Sequence, residues 1–324
     1  MKVDEEVFKN LGIFVKIDRR KSRFIPTTRD IASIYDERTE ENVEDKLAIG
    51  TLSCSLIWGG NAFTTGGTAN VQSPNDRIME QLNDYIDDYK RVDRTRYFLP
   101  AKGLDAASRL KDRLLQYWKK RHRYCAIDAG TTTTQLAGCL ADKRAPDKDA
   151  RLASLTVVTN APPVEQALQD PCNNIDILSL GGLLNKDTRA RAGAHCEQAF
   201  DAWGIRVDIA LVGTTSLVAD EENGGTPEGC ACDSADEARI KSRFLDRAAI
   251  RCIVMDSSKF KRYRLSAFIF APLSADFVDV VVSDTKIFHE KPKDSTENEA
   301  WHKLWNAGIV VLFPASVNQK QQRR

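Results

Sequence analysis

From Tyr124 onward, short runs of β-branched and aliphatic residues alternate with longer stretches in which apolar positions recur at helical spacing. The runs Tyr124–Asp128, Leu155–Thr159, Ile175–Leu180, Val207–Val212, Cys252–Met255, Phe277–Val282 and Ile309–Phe313 read as strands. Between them, Ala235–Arg247 is the clearest helix. Ala238, Phe244, Leu245 and Ala248 share one side there, while Arg239, Lys241 and Arg243 are expected to face elsewhere. Strand and helix in alternation predict an α/β fold, a Rossmann-like, mostly parallel sheet flanked by helices. A last helix near Glu297–Trp305 is expected to feed the final strand.

The first 123 residues follow another pattern and predict an α+β region. Ser73-Pro74 suits a helix start, and Ile78, Leu82 and Ile86 repeat every four residues, so a helix is expected over Pro74–Tyr89. Leu104, Ala107, Leu110, Leu114 and Trp118 form a second stripe, ending in the basic run Lys119–Arg123. Cations complement a helix C-terminus, so a helix end explains that run better than a nucleic-acid contact. Further upstream, Glu5–Leu11 with Ile13–Ile17 and Arg23–Ile25 reads as one helix and a wing-like hairpin, or equally well as a simple β-hairpin appendage.

Composition narrows the options. The 324 residues carry a formal net charge of +1, so no general field attracts nucleic acid or an anionic membrane. The acidic opening, Met1 to Glu6, has no apolar core of a secretory signal, and no apolar run reaches the length of a membrane span. A cytoplasmic chain is expected. The cysteines at 54, 125, 139, 172, 196, 230, 232 and 252 sit largely in apolar runs, as reduced core thiols do. Cys230-Ala231-Cys232 lacks the paired spacing of a zinc site, so no metal and no cofactor is assigned. His195 and Cys196 are adjacent on a helix and point in different directions.

The sharpest chemical signal is the strand ending at Asp128, followed by Ala129-Gly130-Thr131-Thr132-Thr133-Thr134 and the apolar helix Gln135–Leu140. A tight loop feeding a helix N-terminus presents amides and hydroxyls to an anion, such as a phosphate. The same threonines could equally serve as helix caps. Other strand ends carry Asn160, Gly181-Gly182, Gly213-Thr214-Thr215 and Asp256-Ser257-Ser258-Lys259, where ligands of open α/β sheets bind.

Six blocks in order, Asp128-Ala-Gly-Thr-Thr-Thr, Leu155-Thr-Val-Val-Thr-Asn160, Leu180-Gly-Gly182, Glu237-Ala-Arg-Ile-Lys241, Asp256-Ser-Ser-Lys-Phe260 and Ala271-Pro-Leu273, resemble the effector-sensing domain of DeoR-family regulators. The resemblance covers residues 124–315, leaving a divergent N-terminal region, 1–123, and a polar tail, 316–324. It implies the fold of ribose-phosphate isomerase, glucosamine-phosphate deaminase and CoA transferases, a phosphorylated small-molecule effector, and association into a homo-oligomer. It also implies that Asp128, Gly130, Thr131, Thr132 and Thr133 form the phosphate-side loop. Thr159, Asn160, Gly181, Gly182, Lys241 and Lys259 would line the pocket, with Asp256 and Ser258 in the same strand-end loop as Lys259. No catalytic residue is assigned.

Two departures stand out. Where the family tends to have Gly-Ala-Asp-Gly, this chain has Gly213-Thr214-Thr215-Ser216, and a threonine cannot serve as a proton-shuttling base. Asp220, Glu221 and Glu222 are expected to open a solvated loop ahead of the turn at Asn223-Gly224-Gly225. With Glu237, they keep open a phosphosugar isomerase or deaminase-like alternative. No helix-turn-helix pattern precedes the sensor region, so DNA binding has little support, and a regulator with a degenerate N-terminal module is the third reading. Asp36-Glu37-Arg38, Asn42, Lys46 and Ile49 resemble the family's linker helix. In that case Ser53–Arg123 is an insertion, with Gly59-Gly60 and Thr64–Thr68 as a lid or second loop.

Overall fold

The computed structural model describes residues 38–58, 78–83, 101–141, 154–170, 175–220, 226–261, 268–284, 304 and 307–314. The expected hairpin of residues 13–25, the Gly59-Gly60 and Thr64–Thr68 segments, Cys172, Glu221 to Gly225, the tail and most of the Glu297–Trp305 helix lie outside them.

The strands form in the expected order, with edges shifted by a few residues. A seven-stranded parallel sheet contains β1 (His122–Ile127), with β2 (Ser154–Thr159) and β3 (Ile175–Ser179) to one side. To the other side lie β6 (Val207–Gly213), β9 (Ala248–Val254), β11 (Val280–Val282) and β12 (Val310–Leu312). Register is regular, with His122 opposite Ser154 through Ile127 opposite Thr159. Ala248, expected on the helix, instead opens β9. Every residue of β6 is buried, as the middle of a sheet covered on both faces requires.

Alternation along each strand divides two cores. Cys125, Ile127, Val157, Ile209 and Leu211 face α1 (Val43–Trp58), α2 (Ala101–Trp118), α3 (Thr131–Ala141) and α4 (Pro162–Leu168). Ala126, Val158, Ala210 and Val212 face the side of α5 (Ala194–Ala202) and α6 (Ala235–Asp246). Residues 78–83 are helical, inside the expected Pro74–Tyr89 helix, and Ile78 and Leu82 join the first core. The helix α1 continues through Ser53 rather than ending before it. It meets α3 closely at Gly50, where a Cβ would lie 3.0 Å from the Leu136 amide nitrogen.

Arg123 fastens this layer. Its guanidinium donates to the carbonyls of Ile57 at 3.2 Å and Trp118 at 2.6 Å and lies over the Tyr117 ring at 5.3 Å. One cation thus serves the C-terminal ends of both α1 and α2, as the basic run suggested, while Lys119 to Arg121 are exposed.

Two features were not expected from the sequence. A small hairpin, β4 (Leu183–Asn185) with β5 (Ala190–Ala192), follows β3. An antiparallel sheet pairs β7 (Ser216–Asp220), β8 (Thr226–Cys232) and β10 (Phe268–Pro272). Asp220 therefore ends a strand instead of opening a loop, and most of the long connection after Gly224 is strand. Cys230 and Cys232 are buried in β8 as part of the second core.

Candidate functional site

Sheet order reverses between β1 and β6, and a crevice at such a switch point is where open α/β sheets place ligands. Asp128 follows β1 there and is fully buried. One carboxylate oxygen accepts the Gly213 amide at 2.8 Å, and the other is paired with the Lys241 ammonium. Lys241 also donates to the carbonyls of Gly213 at 3.0 Å and Ala129 at 3.4 Å, and sits 5.5 Å from the Phe270 ring centre. An ammonium has three N–H donors, and these three acceptors use them. Lys241 is therefore turned inward, contrary to the outward face expected of it, whereas Arg239 and Arg243 do point out. A helical pattern cannot reveal that a buried carboxylate awaits a lysine on the apolar side.

Burial is the strongest influence on both members of this pair. It pushes the Asp128 carboxyl above the ordinary range, against the pull of Lys241 and the Gly213 amide. It also lowers the Lys241 ammonium, but the charges of Asp128, Cys232 and Glu237 outweigh it and leave Lys241 raised. Lys241 thus stays protonated at neutral pH.

Above the pair begins α3. Thr133 and Thr134 both donate their hydroxyls back to the Gly130 carbonyl, at 2.9 and 2.8 Å. Among the described residues the hydroxyls of Thr131 and Thr132 have no such use, and the first-turn amides lack intrahelical acceptors. Gly130 is not at positive φ, and a Cβ on it would meet only Thr133 Oγ1, at 3.1 Å. The backbone there does not demand glycine, and a Cβ would require the Thr133 hydroxyl to give by a few tenths of an ångström.

After β2, Thr159 accepts the Ala161 amide at 3.1 Å and so shapes the entry to α4. Asn160 donates to the Arg191 carbonyl at 2.8 Å and accepts the Arg191 amide through its own carbonyl, while its buried Oδ1 has no partner among the described residues. Gly182, at φ +127°, turns the chain into the hairpin, where a Cβ would lie 2.8 Å from the Ala192 carbonyl oxygen. Its neighbour Gly181 has open space around it. After β9, Asp256 Oδ1 accepts the Ser258 amide at 3.1 Å and pairs with the Ser258 hydroxyl. Lys259 Nζ stands 3.9 Å from Asp256 Oδ2. The sequence-picked residues thus gather in groups after β1, β2, β3 and β9. At about 4.8 Å per strand, the β1 and β9 groups lie roughly 10 Å apart.

Glu237, weighed as a base, is buried and accepts from Asn185 Nδ2 at 2.9 Å and from the Thr188 hydroxyl. It pins the hairpin to α6. Thr214, in the segment where a carboxylate would be expected, shares its one hydroxyl proton between the carbonyls of Ser216 and Ala231 and receives the Ala231 amide at 3.2 Å. It holds β8 in place. Among the described residues, no group of three or more His, Cys, Asp or Glu side chains could hold a metal, and no helix is long and apolar enough to cross a membrane.

The family model of the DeoR C terminal sensor domain matches residues 120–285. The chain is 30% identical over 186 residues to the HTH-type transcriptional regulator GlpR of Haloferax volcanii, covering 57% of this chain and 60% of that protein. It is 25% identical over 187 residues to a putative aga operon transcriptional repressor of Escherichia coli O157:H7, covering 58% of each. The chain thus spans about three fifths of the length of these relatives. Ribose 5-phosphate isomerase from Plasmodium falciparum is 11% identical with a TM-score of 0.28, over 49% of this chain and 51% of that one. A putative 6-phosphogluconolactonase from Neisseria gonorrhoeae is 9% identical with a TM-score of 0.30, over 73% and 95%. Likeness of that order carries no argument about function.

Proposed function

The chain belongs to the DeoR C-terminal sensor-domain family, and from that premise we propose that it is a ligand-sensing regulatory protein. It binds a phosphorylated small molecule, a phosphosugar or nucleotide-like metabolite, at the C-terminal ends of its parallel strands. The observation that carries this reading is the start of α3 at the switch point, where the first-turn amides lack intrahelical acceptors and the hydroxyls of Thr131 and Thr132 make no hydrogen bond among the described residues. The phosphate rests on Gly130, Thr131 and Thr132, with Lys259 as the cation, and Asn160, Gly181 and Gly182 lie on the sugar side. Asp128, Lys241 and Thr133 hold the loop from beneath, and Asp256 and Ser258 shape the loop of Lys259. Binding becomes a signal when two conformations differ in affinity for the ligand. The same proposal places the protein in the cytoplasm as a homo-oligomer, with sedimentation as its check.

Titration calorimetry against a panel of phosphosugars and nucleotides tests the reading. At least one is expected to bind with micromolar affinity and raise the melting temperature. Heats and melting temperatures unchanged across the panel would overturn it.

A further inference from the structure

The stretch matched by the sensor family starts at residue 120, yet a segment far upstream of it reaches the candidate site. Asn42, at the entrance to α1, donates its Nδ2 to Asp256 Oδ1 at 3.4 Å. That oxygen is the one holding Ser258, and Asp256 also accepts the Lys259 amide through its carbonyl at 3.1 Å. Four residues earlier, Arg38 pairs with Asp233 at 3.7 Å, in the turn that leads into α6. The Lys46 ammonium bonds the Arg38 carbonyl, closing the segment on itself. Residues 38–46 therefore bridge the two arms of the site, the helix bearing Lys241 and the loop bearing Lys259.

Asn42 sits at φ 53°, one of two non-glycine residues at positive φ among those described. Asparagine tolerates that left-handed conformation better than most residues, and its backbone carbonyl accepts the Lys46 amide at 2.9 Å to start the helix. A left-handed residue here turns the side chain onto a carboxylate 214 positions away in sequence. Asn42 itself is exposed while Asp256 is buried, so the amide meets the loop from its open side.

We propose that Asn42 is a positioning residue of the ligand site: by holding Asp256, it sets the loop that presents Ser258 and Lys259 to the anion. The inference rests on the ligand-sensing reading above. The strap places the chain's N-terminal side in contact with the anion loop, so a shift of that loop on binding moves the start of α1.

The test compares wild type, Asn42→Gly and Asn42→Asp by calorimetry with glucose 6-phosphate and inorganic phosphate, alongside thermal unfolding. Glycine keeps the left-handed backbone and removes only the amide. Asn42→Gly is expected to bind the probe roughly threefold to tenfold more weakly, the range of one ordinary net hydrogen bond, with little change in melting temperature. Asn42→Asp sets a second carboxylate against Asp256, so its loss of affinity at neutral pH is expected to exceed that of the glycine variant. Equal affinity of wild type and Asn42→Gly overturns the positioning role and leaves the sensing reading intact. A lowered melting temperature with unchanged affinity does the same. Failure of wild type to bind either probe, with the wider panel also silent, overturns both.

Discussion

The Lys241 ammonium on α6 and the Asp128 carboxylate at the end of β1 form a buried ion pair at the switch point between β1 and β6. Removing one member leaves an uncompensated charge, which costs about 3–5 kcal/mol, far more than the pair itself contributes over an apolar replacement. Lys241→Ala is expected to lose that much stability in urea denaturation, and adding Asp128→Asn in a Lys241→Met background should restore most of it. A loss under about 1 kcal/mol in the single variant would remove the scaffold role assigned to the pair.

The thiols in the second core give a pH prediction. Burial pushes Cys230 up to about 12 and Cys232 to about 11, from an ordinary value of 9.0. A thiol that ionises later in the folded state favours folding fully below its ordinary value, and this contribution is lost as pH rises from about 9 towards 11 and 12. Stability is therefore expected to fall over that window, and less so in a Cys230→Ser, Cys232→Ser variant relative to its own neutral-pH value. Cys196, pushed up to about 12, adds to the same trend. At pH 8 the native thiols should resist alkylation that proceeds readily in urea, as mass spectrometry of labelled peptides would show.

These two sites also mark how far the sequence could be read. The parallel strands were legible because Leu155-Thr-Val-Val-Thr159 and Val207-Asp-Ile-Ala-Leu-Val212 are apolar runs bounded by turn residues. The segment Thr226-Pro-Glu-Gly-Cys-Ala-Cys232 was not, since Pro227 and Gly229 argue against a strand and only its antiparallel partners make it one. Gly229 is needed there because a Cβ would meet Ile269 at 2.5 Å. The hairpin after Gly182 was missed for a related reason, as two glycines read as the end of order rather than the start of a turn. Lys241 was placed in the pocket by resemblance but on the wrong face by periodicity. Asn42 carried no signal beyond its place in a linker-like run, because its partner lies 214 residues on.

Lys259 is mostly buried, with its ammonium 3.9 Å from Asp256 Oδ2. Lys259→Ala is expected to weaken binding of a phosphorylated ligand by about 1.5–3 kcal/mol, the worth of a charge-assisted hydrogen bond. The salt dependence of affinity should flatten in the variant, since one charge pair is gone. Affinity equal to wild type at low and high salt would return Lys259 to a purely structural role beside Asp256.

The start of α3 separates a ligand loop from a helix cap more sharply than the sequence alone could. Thr133 spends its hydroxyl on the Gly130 carbonyl and is fully buried, so Thr133→Val should lower stability by about 1 kcal/mol. Its effect on affinity should be small. Thr132 has no such bond among the described residues, so Thr132→Val should leave the melting temperature unchanged while weakening binding by roughly 0.5–3 kcal/mol. Gly130→Ala tests approach rather than turn geometry. The added Cβ meets only a hydroxyl at 3.1 Å, which a small shift relieves, so the fold should survive while the ligand is held off the amides. Thermal unfolding and calorimetry on the same three variants distinguish the roles. Should Thr132→Val lower stability and leave affinity intact, the threonines are caps and the anion binds elsewhere along the strand ends.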